Sequence, residues 1–504
     1  MTERKTSPFL ISLTVMLGMI MAIIDATIVN VALATIAGNL GASIDDAAWV
    51  ATGYILASVI TMPLNGWLTA YFGRKRFYAG CIALFTIASL LCGTATSIWQ
   101  LVFYRVIQGF GGGALQPTAQ AILFETFPPK ERGSAMAIFG LGAMVGPALG
   151  PILGGYIVDN ATWQLIFYIN IPIGIAAFLM TQAFIPNPHY LEKPKGGIDW
   201  LGLGLLSSGL ASLQYVLERG QHDDWWSSST ITLLAVVAVV ALTWFIVKTL
   251  RDRHPLVDLK VFRYRTFTVG NILMTIVGFG LFGTSLIMPL FFQTVLGMTA
   301  YDTGMALLPG AVATAICMVV VGRLVTIVDT RLLTAIGIVL FAWSCWALGG
   351  LNEQAGIGDI FVPRLVQGFG MGFLFVPLTT VMLSAIPRNE LAGATGVSLL
   401  LRQLGGSLGI AFLTTLLSRE TAIAWNVLAS GVVRSHGQSV GTLTQLVAMS
   451  SSVIAYDYLF RLSAIIFIIT LPLVYFLRPP RSVRDAAARG DGPSGGLPAM
   501  ALAE

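Results

Sequence analysis

Charge is scarce in this sequence. Only 11% of its 504 residues are Asp, Glu, Lys or Arg, against about 25% in ordinary soluble domains. That excludes a water-soluble globular class. Cysteine and histidine are equally sparse, four of each. Cys81, Cys92, Cys317 and Cys345 fall inside apolar runs without metal-ligand spacing, so neither a metal cluster nor a disulfide framework is expected. His189, His222, His254 and His436 fall between the apolar runs, which excludes a histidine relay across a membrane. No Walker sequence occurs, so ATP is not the expected energy source. Residues 278–283 match the glycine pattern of dinucleotide sites, but they lie inside an apolar run with no preceding strand.

What the chain has instead is apolar length. It is 56% hydrophobic, with a mean hydropathy of +0.80. Its 54 glycines suit closely packed membrane helices. Hydropathy places fourteen spans near 9–33, 46–68, 77–95, 100–123, 134–158, 163–185, 198–218, 229–249, 268–292, 303–325, 332–350, 357–384, 394–417 and 457–477. The expected fold class is an all-α integral membrane protein with no soluble catalytic domain. Residues 418–456 read as a long loop outside the membrane, and the tail 478–504 as disordered. Lys and Arg concentrate in segments such as Arg74-Lys75-Arg76, 251–265 and 478–489, while Arg219, Arg419 and Arg434 fall on the other side. This bias puts residues 1–8 and both termini in the cytoplasm. It assigns the net charge of +5 to topology rather than to nucleic acid.

The chain repeats itself. Arg105-Val106-Ile107-Gln108-Gly109-Phe110-Gly111 recurs from Arg364 to Gly370, an offset of 259 (364 minus 105). The same offset carries Gly146 onto Gly405 and Pro128 onto Pro387. Two six-helix halves follow, 9–185 and 268–477, with two inserted helices and a linker in 186–267. Such halves place a substrate site between them at the midplane.

The first span holds a single ionisable side chain, Asp25. Thr14, Gly18, Met21 and Asp25 share one helix face. A carboxylate there costs about 2.5–3.5 kcal/mol or more and normally faces a partner or a wet cavity. The span is too long for a secretory signal; an architectural Asp with no proton chemistry stays open. Span four puts Arg105, Gln108, Gly112, Gln116 and Gln120 on one face. Asp25 and Arg105 lie at similar depth and form the candidate proton-coupling pair. The offset carries Asp25 onto Thr284, so this chemistry belongs to the first half. Gln108, Gln116, Gln293 and Met21 are candidate cavity residues. Gly142, Gly146, Gly150 and Gly154, four apart around Pro147 and Pro151, make a groove for close helix contact in a bent span. Gly73 and Arg74, with Glu125 or Arg132 near other helix ends, form a candidate cytoplasmic gate; topology anchoring is the plainer reading of Arg74.

Together these motifs resemble the major facilitator superfamily, in its fourteen-span drug:proton antiporter branch of the EmrB/QacA type. The resemblance covers residues 9–480. It rests on 25–33 in span one, 101–113 in span four, 142–155 in span five, 163–174 in span six, and 213–227 with Glu218-Arg219-Gly220 and Trp225. The sequence departs from the pattern at Ala34, Ala70, Tyr71 and Gln164. The resemblance implies a major facilitator fold and proton-driven efflux of lipophilic or cationic drugs across the inner membrane. It implies no cofactor beyond the coupling proton, and a periplasmic adaptor and outer-membrane channel as partners. A dedicated exporter of one metabolite, a proton-coupled importer and a non-transporting membrane sensor are the rival readings.

Overall fold

The computed structural model describes residues 7–188, 193, 199–252, 255–432 and 440–477. His189, His254, His436 and the tail 478–504 lie outside the described residues. All regular structure described is helical. In chain order the helices are α1 (Pro8–Leu40), α2 (Ile44–Phe72), α3 (Arg74–Gly93), α4 (Ile98–Thr126), α5 (Arg132–Asn160), α6 (Leu165–Tyr168), α7 (Asn170–Phe184), α8 (Trp200–Arg219), α9 (Ser229–Arg251), α10 (Arg265–Thr294), α11 (Ala300–Leu324), α12 (Thr330–Leu348), α13 (Ile357–Ser384), α14 (Leu391–Val432) and α15 (Val440–Ile469). Ser43, Ser97, Asp199, Ser228, Thr299 and Asp329 each cap the following helix through the side chain, satisfying backbone donors that the helix leaves open.

Among the described residues, twelve helices are long and apolar enough to cross a membrane. The expected fourteen also counted α4 and α5, which are not among the twelve; each is 29 residues long. In α4, an arginine, four glutamines and four glycines dilute the apolar surface. The expected sixth span is interrupted between α6 and α7. Pro172, just beyond the break, has no N–H to offer the preceding turn. The loop expected over 418–456 is corrected by the structure. α14 runs on to Val432 and α15 begins at Val440. Hydropathy registers lipid, not helicity, and residues 418–430 contain neither Pro nor Gly to stop a helix.

The two halves repeat one packing pattern. α1 packs on α5 as α10 packs on α14; α2 on α4 as α11 on α13; α3 on α4 and α7 as α12 on α13 and α15. The inserted α8 lies against both α2 and α14, and α9 packs on α8.

We call the end carrying Arg74, Arg132 and Arg388 the basic end. Among the described residues, the hydrogen bonds, ring contacts and glycine contacts that join the halves directly run from this end to the level of Gln116 and Arg402. Asn65 Nδ2 donates to the Ala392 carbonyl at 2.9 Å. Gly133 meets Gly322, and Phe139 stacks on Phe375 at 6.2 Å. Gly66 and Gly393 bring α2 and α14 so close that a Cβ on Gly66 would lie 2.6 Å from the Gly393 Cα. These direct contacts between the halves seal the basic end.

A bulky residue at Gly66 is therefore incompatible with this seal. Gly66→Leu is expected to open the basic end and to speed maleimide labelling of a cysteine placed at Thr69, which is 1% exposed on α2. Labelling as slow as in the parent would mean that the glycine contact does not set the seal.

Candidate functional site

α1 brings Asp25 into the interior of the first half, where it is 0% exposed; Arg105 on α4 is 1% exposed. They meet at 2.5 Å, Arg105 Nη1 donating to Asp25 Oδ2. The other carboxylate oxygen, Oδ1, accepts from Gln108 Nε2 at 3.0 Å and from Asn170 Nδ2 at 2.8 Å. Arg105 also donates to Gln108 Oε1 at 2.7 Å and, through Nε, to the Val50 carbonyl at 3.1 Å. Its guanidinium lies 4.3 Å from the Tyr54 ring centre. Asn170 is held in turn by Ser89 at 3.1 Å, and Ser89 by the Phe167 carbonyl. Helices α1, α2, α3, α4 and α7 thus converge on one charge pair. Each carboxylate oxygen has a donor, which is what burial of a charge demands.

The glycines of α5 make this approach possible. A Cβ at Gly142, Gly146 or Gly150 would lie 2.0 Å from Met16, Ile23 or Thr27 of α1. At Gly154 it would lie 3.0 Å from Ile28. Thr27 Oγ1 donates to the Gly146 carbonyl at 3.0 Å, locking the register. α5 thereby presses α1 toward α4 from behind. The side chains of Pro147 and Pro151 lie outside the described residues.

The candidate cavity residues separate. Gln108 is 0% exposed and engaged with Asp25 and Arg105, so it belongs to the charge network rather than to a cavity wall. Met21 is buried in the core. Gln293 is exposed, one residue before the end of α10. Gln116 is half-buried and reaches across to the second half, where Arg402 Nη2 approaches its Oε1 at 3.5 Å. Sequence reading missed Asn170, Tyr54, Ser89 and Arg402. Asn170 sits just after the helix break, where helical spacing gives no face.

At the basic end Arg74 and Glu125 form a bidentate pair at 2.7 and 2.9 Å. Gly73 turns the chain there with φ +83°, a region that favours glycine. Arg132 lies over the Phe124 ring at 4.4 Å. Nearby, Arg263 reaches Glu390 at 2.7 Å. Burial pushes the Glu390 carboxyl above its ordinary range, and the Arg263 charge opposes that.

The second half keeps the arginine without the acid. Arg364 donates to Gln367, to Met288 Sδ at 3.3 Å and to the Leu307 carbonyl at 3.2 Å. Arg364 Nε and Gln367 Nε2 have no partner. Thr284, equivalent to Asp25, is spent on the Gly280 carbonyl of its own helix. Among the described residues, no group of His, Cys, Asp and Glu could hold a metal.

Comparison with known proteins agrees with this architecture. Residues 15–410 match the model of the Major Facilitator Superfamily. The chain is 36% identical to the multidrug export protein EmrB of Escherichia coli K12, over 94% of this chain and 95% of that protein. It is 34% identical to the fatty acid resistance protein FarB of Neisseria gonorrhoeae, over 93% and 96%. Its fold is similar to that of the human organic anion transporter MFSD10, with TM-score 0.63 and 12% identity, over 93% of this chain and 99% of that one. It is also similar to the proton:xylose symporter XylE, with TM-score 0.59 and 14% identity, over 92% and 96%. The chain belongs to the major facilitator superfamily and is a multi-pass membrane transporter.

If Asn170 helps to hold the buried carboxylate, removing it should be felt. Asn170→Ala deletes one of the two donors to Asp25 Oδ1. The expected cost is about 1–3 kcal/mol, read as a lower melting temperature of the detergent-solubilised protein. An unchanged melting temperature would remove Asn170 from the network.

Proposed function

We propose that this member of the superfamily is a proton-driven exporter of lipophilic drugs, working by alternating access across the inner membrane. The observation that carries the reading is the solitary buried carboxylate of Asp25, held by Arg105, Gln108 and Asn170 beside a seam that is closed at one end. Proton uptake by Asp25 removes the charge that Arg105 compensates and weakens the 2.5 Å bond, because charge-assisted bonds are about twice as strong as neutral ones. Arg105 holds α2 through the Val50 carbonyl and the Tyr54 ring. A change at the pair therefore reaches a helix of the inter-half seal. The Lys and Arg distribution supports cytoplasmic termini and a cytoplasmic basic end, and the sealed basic end then corresponds to an outward-facing state. Relatives named for multidrug export support drugs as cargo. A periplasmic adaptor and an outer-membrane channel are the partners this reading expects.

In everted vesicles, addition of substrate should collapse an imposed proton gradient. Asp25→Asn is expected to abolish that response while the protein remains inserted. Undiminished coupling in this variant would place the proton site elsewhere.

A second reading has its own observation. Arg402 is 7% exposed, and among the described residues no ion pair joins it. Its contacts are Gln116 and the Phe375 ring, at the level where direct contact between the halves ends. A guanidinium there disfavours a cation and suits an amphiphile with an anionic head, in line with a relative named for fatty acid resistance. On this reading Arg402→Gln should abolish protection of a pump-deficient host against long-chain fatty acids while sparing protection against cationic dyes. Equal loss of both would leave the arginine a structural part.

A further inference from the structure

The mechanism above leaves the partly buried acid Glu218 unused. Glu218 lies in the last turn of the inserted helix α8, on the side that packs between the two halves. Its Oε1 accepts from Gln214 Nε2 at 2.8 Å, and Thr52 of α2 is hydrogen bonded to the same carboxylate. Gln214 is 0% exposed, and its Nε2 also donates to Ser407 Oγ of α14 at 2.7 Å. Its Oε1 has no partner. One carboxylate and one amide thus tie α2, in the first half, to α14, in the second. Two further contacts extend the tie. Trp49 of α2 packs on Tyr215 at 5.5 Å, and Trp225 Nε1 donates to Thr415 of α14 at 3.1 Å. All of this lies toward the far end, where the direct contacts described above are lacking.

The charges around Glu218 are few. Arg219 of its own helix acts on it. The side chains that reach the cluster from α2 and α14 are the hydroxyls of Thr52 and Ser407. At the far end of α2, Asp45 meets His222 of the following turn at 3.1 Å, both exposed. α9 brings Lys248 only at its opposite end, where it pairs with Asp199 and Asp252. Glu218 retains some exposure and so can exchange a proton with solvent.

We propose that Glu218 is a second protonatable carboxylate of the transport cycle, and that its charge state sets how tightly α8 ties the two halves together at the far end. The ionised carboxylate accepts charge-assisted bonds from Gln214 and Thr52, and α8 grips both helices. Uptake of one proton converts it to the neutral acid, weakens those bonds and frees α2 and α14 to change their separation. The Gln214 amide then also gains an alternative, because its unpartnered Oε1 can accept the new O–H. The link to the first site is short. Val50 and Tyr54, which hold Arg105, and Thr52, which holds Glu218, sit within one turn of α2. The role of Glu218 in the cycle rests on the proton-driven reading above; its effect on the far-end spacing does not.

The test is a distance measurement on the full chain, without drug or gradient. The four native cysteines are buried, so spin labels would attach at Ser227→Cys and Ser418→Cys, two exposed positions flanking the Trp225 to Thr415 bond. The parent distance distribution should shift between acid and alkaline pH. Glu218→Gln should hold the acid distribution at both. Glu218→Asp should restore the shift with a displaced midpoint, which also guards against a misfolded Gln variant. His222→Gln should leave the shift intact. A parent distribution independent of pH, a shift that survives Glu218→Gln, or one lost in His222→Gln but not in Glu218→Gln would each overturn the proposal. Because no proton flux is read, failure of the antiport reading in the Asp25→Asn vesicles is a separate outcome.

Discussion

The ion pair between Asp25 and Arg105 is the constraint around which the first half is arranged. Taking two charges out of water costs several kcal/mol per ion, and their attraction offsets this only with good geometry and every remaining hydrogen-bonding site filled. The surroundings meet that demand. Gln108 and Asn170 occupy the second carboxylate oxygen, Val50 accepts from the guanidinium, and Tyr54 lies beneath it. Each of these groups comes from a different helix or a different turn, so the pair fixes the relative positions of α1, α2, α4 and α7. The α5 glycines follow from the same demand. Only a helix face without side chains allows α1 to approach within reach of α4.

The second half shows what the fold does without that pair. Arg364 and Gln367 repeat Arg105 and Gln108, but Thr284 replaces the acid and two nitrogen donors are left without partners. A guanidinium whose hydrogen-bond partners are an amide, a thioether and a carbonyl has no carboxylate to answer to. The architecture is therefore symmetric while the chemistry is not. The seal at the basic end is made by close backbone approach, at Gly66 with Gly393 and at Gly133 with Gly322.

Much of this was legible in the sequence, for identifiable reasons. A lone acid in an apolar run has to find a cation, and depth alone paired Asp25 with Arg105. Glycines at every fourth position announce a helix contact. The 259-residue offset announced two halves, and Arg74 found Glu125 because both sit at helix ends of one side. What was not legible depends on rotation and on breaks. Gln108 shares a face with Gln116, yet one faces the charge pair and the other faces the second half, since a helix crossing several neighbours divides one face among them. Asn170 follows a break that resets the helical phase. Residues 418–432 and 440–456 read as a loop outside the membrane and are still helical, which hydropathy cannot express. Arg402 reads as one more arginine within a span until α4 and α14 are placed side by side.

α2 emerges as the element through which these parts communicate. On one turn it carries the carbonyl and the ring that hold Arg105, and the hydroxyl bonded to Glu218. Farther along, it carries Asn65 and Gly66, which close the basic end against α14. Tyr54 and Gly66 lie about 18 Å apart along α2 at 1.5 Å per residue, with Pro63, where a helix bends, between them. On the proposed reading, Asp25 with Arg105, Glu218 and the glycine seal are therefore not three independent devices: all three act on α2, and the last two also reach α14.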